Sequence, residues 1–325
     1  MRAAVIFGLA SSTEDLKPFQ EEAHAEWIIG LPVSQSDADA ILLFGGDGTV
    51  HRHLGALVKL GLPVLVVPCG SGNDFARALG LRRVRDSRAA WRRFVSGSGN
   101  VQIIDLGMIR PLSAGEPQGL KPSPNQRPIG TAEAVPFPDS GNQKLETGNS
   151  CYFCCVGGAG LDAEVARRAN TLPRWLRGHG GYALSLPPAL MRFAPLPMTI
   201  SVSDGSQFAV RSAKPTVLAA FANAPAYGAG MRIAPQARLD DGQLDICVIS
   251  DMSRFKLASL FPTVYFGRHL SMDEVDYFRS ARIRLETERP LDVYADGEFV
   301  CRTPVEVSIA PQVLRVIVHP SQTGF

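Results

Sequence analysis

The stretch ILLFGGDGTVHRHLGALVKLGLPVLVVPCGSGND (41–74) contains two strand–loop–helix units in succession. ILLFG (41–45) and VLVVP (64–68) are short, unbroken apolar runs, as expected of strands buried on both faces of a parallel sheet. Between them Val50, Leu54, Leu57 and Val58 recur at helical spacing, and Gly61 stands where a helix would end. NDFARALG (73–80) opens a second helix, with Asn73 or Asp74 placed to cap its free amides. With AAVIFG (3–8) upstream, residues 1–107 read as a doubly wound α/β domain, whose ligands bind beyond the carboxyl ends of the strands.

The loops GGDGT (45–49) and PCGSGND (68–74) lie at such ends. Glycine lets backbone amides approach anionic oxygens with no Cβ in the way, and the helix N-terminus that follows favours negative charge. Thr49 and Ser71 add hydroxyl donors. Asp47 offers a carboxylate for a magnesium ion, through water, or for a ribose hydroxyl. One such loop is equally well a tight turn, whereas two in successive units argue for a phosphate site. Neither is a GxxxxGK[ST] loop, and neither fits GxGxxG with an acid about 20 residues on, so a nucleotide would be held by another scheme.

From Arg110 to Asn149 the chain is rich in Pro, Gly and Ser without apolar periodicity, and reads as a mobile excursion between strands. Beyond it, short strand-like runs follow one another. MTISVSDGSQFAVRS (198–212) carries Asp204-Gly205 between alternating runs, a hairpin signal, and PTVLAAFAN, QLDICVIS, ARIRLET, LDVYADGEFV, PVEVSIA and VLRVIVH continue the series. Residues 108–325 therefore read as an all-β domain, a sandwich or split barrel, with helices near 158–170, 181–192 and 253–266 and a last strand able to return to the first domain.

The 33 basic and 31 acidic residues leave a net charge of +2, which gives no case for nucleic acid. Two segments are Arg-dense, 81–94 with Trp91 and 167–180 with Trp175; they read as solvated faces or as attraction to anionic groups. Cys69, Cys154, Cys155 and Cys247 sit in apolar runs as buried thiols do. Cys151 and Cys154 form a lone CxxC without zinc partners, and the pattern suits a reducing cytoplasm. No apolar run is long enough to span a bilayer, and the N-terminal MRAAVIFGLASS reads as a first strand in preference to a signal peptide.

Five landmarks in order, GGDGT, VPCGSGNDFARALG (67–80), YFCCVGGAGLDAEV (152–165), GAGMRIAPQARLDDGQLDICVI (228–249) and DGE (296–298), resemble the diacylglycerol kinase catalytic domain. Within that family they are most similar to the bacterial soluble lipid kinases, with sphingosine and ceramide kinases as relatives. The resemblance implies an α/β nucleotide-binding domain followed by a β-sandwich, with the active site in the cleft between them. It implies an ATP- and Mg2+-dependent transfer of phosphate to a lipid hydroxyl. Gly45, Gly46, Asp47, Gly48 and Thr49, with Gly70, Ser71, Gly72 and Asn73, would hold the nucleotide phosphates, and Asp47 would organise the catalytic magnesium. Asp296 and Glu298 match the pair that supplies the general base, although Asp296-Gly297 alone reads as a hairpin turn. Asp241, with the backbone carbonyls of Arg238 and Gln243, matches a structural magnesium site. The implied partner is a lipid presented at a membrane surface, met by a cytoplasmic protein at the inner face, with a homodimer left open. The segment 174–193 is a candidate dock, or equally a core-facing helix.

The family pattern is broken in places. After GGDGT it carries a hydrophobic residue, Asn and Glu, whereas this chain has Val50, His51 and Arg52. An acid replaced by Arg52 reverses a charge beside the loop, so Arg52 either binds phosphate or marks lost activity. Ser71 replaces a Thr and keeps the hydroxyl. The small-residue loop after the first strand is missing, and only Asp15 and Lys17 stand nearby. A catalytically degenerate nucleotide- or lipid-binding relative is therefore the alternative. A NAD kinase shares GGDGT, but its Asn-Glu pair and Thr-rich later segment are absent.

Overall fold

A computed structural model describes residues 1–22, 24–112, 150–172, 185, 188–190, 193–203, 205, 207–228 and 230–321. β1 (Arg2–Phe7), β2 (Glu26–Ile29), β3 (Ala40–Gly45) and β4 (Val64–Pro68) make a parallel sheet in the order β4–β3–β1–β2. Every residue of β3 is buried, as its unbroken apolar run requires. The short α1 (Lys17–Gln20) and α2 (Asp47–Leu60), α3 (Asp74–Ala78) and α4 (Val84–Val95) accompany this sheet. Helix α2 buries Val50, Leu54 and Leu57 and stops at Gly61, whose φ of 62° lets its N–H reach the Leu57 carbonyl. The Arg-dense segment 81–94 is largely α4: Trp91 enters the core beside Trp27, while Arg88 and Arg92 pair with Glu22 at the surface.

The second half begins with β5 (Val101–Pro111), β6 (Cys151–Phe153), β7 (Val156–Gly160), α5 (Leu161–Thr171), β8 (Leu196–Ser203) and β9 (Phe208–Ala222). It continues through β10 (Leu244–Ser250), α6 (Arg254–Val264), β11 (Val275–Ser280), β12 (Arg282–Thr287), β13 (Asp292–Ala295), β14 (Glu298–Arg302) and β15 (Val305–Ile317). Alternate residues of β9 and β10 feed two cores. Ala219, Phe221, Leu244, Ile246 and Val248 pack inside the β-sandwich, and Leu218, Ala220, Cys247 and Ile249 join the core that continues under the parallel sheet.

β15 links the halves. It pairs antiparallel with β5 and β12, and near its end lies parallel to β4 through Val316 and Val64. PVEVSIA and VLRVIVH are thus one strand, because a register shift between Ala310 and Leu314 absorbs the break that the sequence suggests. FAVRS and PTVLAAFAN likewise fuse into β9, which pairs with β8 up to Thr216 and with β7 and β10 beyond it. The helices expected near 158–170 and 253–266 are α5 and α6. The excursion expected at 110–149 lies outside the described residues beyond Leu112, as do Asp204 and most of the helix expected at 181–192 and of the dock at 174–193. No helix among the described residues is long and apolar enough to cross a membrane.

Candidate active site

The loops after β3 and β4 meet backbone to backbone. A Cβ on Gly70 would lie 2.4 Å from the Gly46 Cα, and one on Gly46 would lie 2.5 Å from the Gly72 carbonyl oxygen. Only glycine permits that approach, so these residues first serve to join two loops. Asp47 N–H donates to the Gly72 carbonyl, and Cys69 N–H to the Gly45 carbonyl, both at 3.1 Å. Asn73 closes its own loop: its Oδ1 accepts from Gly70 N–H at 3.1 Å and its Nδ2 donates to the Gly70 carbonyl at 2.7 Å.

Helix α3 is therefore not capped by Asn73 or Asp74, as its local sequence suggests. The Asp47 carboxylate, from the other loop, accepts from the amides of Asp74 and Phe75 at 3.0 Å each. Burial and the neighbouring charge of Asp74 push the Asp47 carboxyl up to about 6, against the two amides that favour its ionised form. An acid crowded in this way, at the N-terminus of α2, fits a site completed by a cation.

The β13–β14 turn comes to the same place. Asp296 (φ 50°) and Gly297 (φ 84°) reverse the chain in the left-handed region, so the turn reading and the site reading both hold. The Asp296 side chain is wholly buried. It accepts from the amides of Cys154 and Cys155 at 2.8 Å each, from the Cys154 thiol at 3.3 Å and from His51 Nδ1 at 3.2 Å. His51 Nε2 in turn lies 3.7 Å from the Cys151 sulfur. Burial alone would raise the Asp296 carboxyl, but the bond and charge of His51 and the two amides hold it below its ordinary value. Burial likewise pushes the His51 imidazole down, and its bonds to Asp296 and Cys151 prevail, raising it to about 10. The pair is a buried ion pair between α2 and the sandwich.

Glu298, two residues on, is exposed, and its Oε1 would lie 2.8 Å from a Cβ on Gly48. A cleft of about 430 Å³ results, lined by residues 45–49, 69–72 and 296–298 together with Arg52, Asp162, Tyr227, Tyr265 and Tyr294. Every residue expected at the nucleotide or the reacting hydroxyl lines it except Asn73, which staples its loop. Arg52, exposed and without an ion-pair partner among the described residues, also lines this cleft.

The expected structural magnesium residues lie elsewhere. Asp241 Oδ1 accepts from the Gln243 amide at 3.1 Å, and its Oδ2 faces Arg279 Nη1 at 3.9 Å. Arg279 also reaches the wholly buried Asp245 at 3.2 Å and the Gln236 carbonyl at 3.0 Å. Arg279 does not neutralise this acidic corner: burial and the charge of Asp245 still hold the Asp241 carboxyl above its ordinary value, and Asp245 Oδ2 is buried without a hydrogen bond.

His51 and the Cys154–Cys155 amides are the parts that local sequence reading leaves without a role. His51 stands one helical turn after Asp47, hence on the same face of α2, which is a readable signal. Its partner Asp296 is 245 residues away, which is not.

Residues 8–109 match the model of the diacylglycerol kinase catalytic domain, and residues 155–318 match that of the YegS C-terminal NAD kinase beta sandwich-like domain. A diacylglycerol kinase of Mycobacterium tuberculosis is 34% identical over 279 residues, covering 86% of this chain and 76% of that protein. One of Bacillus subtilis is 23% identical, covering 82% and 74%. The crystal structure of a diacylglycerol kinase from Bacillus anthracis superposes with a TM-score of 0.60 at 17% identity over 98% of this chain and 97% of that one, a likeness of fold. An NAD kinase from Archaeoglobus fulgidus shares the fold more loosely, with a TM-score of 0.50 at 12% identity over 99% and 95%. Two glycine loops locked into one cradle, a distant acidic turn closing it, and a relative matched over most of both chains place this chain in the diacylglycerol kinase family of lipid kinases.

Proposed function

We propose that the chain transfers the γ-phosphate of ATP to a hydroxyl of diacylglycerol or a similar lipid. The observation that carries this reading is the convergence of residues 45–49, 69–72 and 296–298 on one cleft. Backbone groups of the two loops, the N-terminus of α2, the hydroxyls of Thr49 and Ser71 and the guanidinium of Arg52 suit a polyphosphate. Arg52 thus takes the phosphate-binding of its two sequence readings. Asp47 would hold Mg2+, which when bound spreads the negative charge of the transferring group.

Of the two acids at the turn, Glu298 suits the general base. It is exposed at the cleft, whereas the Asp296 carboxylate is wholly buried and held by the amides of Cys154 and Cys155 and by His51. The Glu298 carboxylate accepts the lipid hydroxyl's proton as that oxygen bonds to the γ-phosphorus. The bond from phosphorus to the bridging oxygen breaks, and ADP leaves with the electron pair. Asp296 is a positioning residue: it fixes the β13–β14 turn against the Cys154–Cys155 amides and His51, and so fixes Glu298. The free state of all six cysteines agrees with a cytoplasmic enzyme that meets its acceptor at the inner membrane face.

The test is transfer of radiolabelled phosphate from ATP to diacylglycerol, monoacylglycerol, sphingosine and ceramide, with NAD as a further acceptor. Wild type should label a lipid, and Glu298→Gln should cut kcat by roughly 10²- to 10⁴-fold with little change in ATP binding. A wild-type chain that binds ATP but labels none of the lipids would sink the proposal in favour of a degenerate relative; labelling of NAD alone would make it a NAD kinase.

A further inference from the structure

Helix α6 buries Leu257, Leu260 and Val264 and turns its opposite side outward. That side is not polar. Phe255 is 91% exposed and Phe266, just past the helix, 72% exposed, with exposed Ala258, Ser259 and Pro262 between them at helical spacing. Two nearly bare phenyl rings on one stripe are unusual for a surface that meets only water. The charges around the stripe have one sign. Residues 252–272 contain no acid, and exposed Arg254, Lys256 and Arg268 flank the stripe. Arg232 joins them, since its N–H donates to the Val264 carbonyl at the end of the helix. Lys256 pairs with Glu274, while Arg254, Arg268 and Arg232 have no ion-pair partner among the described residues. Tyr265, which ends α6, lines the catalytic cleft.

We propose that α6 is the face on which this enzyme lies on an anionic bilayer. Phe255 and Phe266 enter the boundary between headgroups and acyl chains, and Arg254, Arg268 and Arg232 contact headgroup phosphates. The cationic rim excludes a basic-rimmed partner, and continuity with the cleft through Tyr265 favours an anionic lipid surface over an acidic protein. A lipid hydroxyl leaving the bilayer beside α6 reaches the cleft without crossing water. The choice of a bilayer as occupant rests on the lipid-kinase reading; the exposed stripe and its charge do not.

The test is co-sedimentation of the full chain with phosphatidylcholine–phosphatidylglycerol vesicles and with phosphatidylcholine vesicles, alongside phosphorylation of a short-chain, water-soluble diacylglycerol. Phe255→Ser with Phe266→Ser should weaken vesicle binding by about tenfold or more, since two exposed rings lose their apolar burial. Turnover of the soluble lipid should stay at the wild-type rate, because neither ring lines the cleft. Arg254→Glu with Arg268→Glu should weaken binding to the anionic vesicles alone, an effect that salt suppresses. Unchanged vesicle binding by both double variants overturns the proposal while leaving the kinase reading intact. So does a wild-type dimer that only the serine variant breaks and that ignores vesicles, since α6 would then cover a second copy. Vesicle binding lost in the variants, with no lipid phosphorylated by the wild type, upholds the docking face and overturns the kinase reading.

Discussion

Replacing His51 by Ala tests the buried pin between α2 and the sandwich. The substitution leaves the Asp296 carboxylate wholly buried, with the two amides of Cys154 and Cys155 but no counter-charge. Breaking a buried pair by removing one partner costs about 3–5 kcal/mol. The rise of His51 from 6.5 to about 10 corresponds to a contribution of the same order, about 5 kcal/mol. The remaining amides favour the low end, so we expect about 3 kcal/mol and a fall in Tm of roughly 4 °C for a chain of this size. The pH dependence carries the stronger test. His51 has a raised folded pKa, so its share of the stability is fully present below 6.5 and is lost as pH rises towards about 10. Asp296 is lowered, so its share is present above its unfolded value of 3.8 and lost as pH falls below it. The Tm gap between wild type and variant should therefore be widest between these unfolded values and nearly close near pH 10. Calorimetry across that range measures it. A gap that is small, or constant from about pH 6 to about pH 10, refutes the charged pair and with it the positioning role of Asp296.

Other substitutions test the remaining parts. Gly46→Ala puts a methyl 2.5 Å from the Gly72 carbonyl, so the loops must part; we expect about 1–3 kcal/mol of destabilisation, seen in urea unfolding, and weaker ATP binding. Arg52→Glu should raise the KM for ATP about tenfold or more and leave Tm within a degree or so, as a surface change with no partner. Arg279→Ala leaves Asp245 buried with only Tyr277 as a side-chain donor and should cost about 1–3 kcal/mol, allowing for the partial exposure of the guanidinium. If Asp241 holds a metal, chelation of divalent ions lowers the Tm of the wild type and leaves that of Asp241→Asn unmoved, which thermal melts check.

What could be read in advance follows the range of the interactions. The strands β3 and β4, the apolar stripe of α2 and its stop at Gly61 are local, and the sequence shows each of them. The glycine loops are local as motifs, but their reason is not. Gly46 and Gly70 are small because each touches the other's loop, and no pattern within either loop says so. The cap of α3 fails to be legible for the same cause, since Asp47 reaches across while Asn73 folds back on Gly70. Merged strands were hidden by their own punctuation. Pro215 in β9 and the bulge in β15 look like breaks, yet each marks the point where one strand changes partners or register.

The two acids of the DGE turn show how a motif of three residues yields two different chemistries. In an extended strand, residues two apart face the same way and would share one environment. Here Asp296 and Gly297 both take positive φ, and the chain reverses between the acids. One carboxylate turns inward to two amides and an imidazolium, and the other is left at the mouth of the cleft over Gly48. The inward acid is ionised, wholly buried and tied to its donors, out of reach of a substrate proton. The outward acid is free to take one, and only because its neighbour's bonds hold the turn still. An enzyme with this turn should therefore lose rate on Glu298→Gln without losing stability, and lose both on Asp296→Asn, since that amide must turn its NH2 toward at least one of the donors that now point at the carboxylate. Equal losses of rate with no change in Tm for either variant would mean that the two acids share the proton transfer, and that the buried one opens to the cleft during turnover.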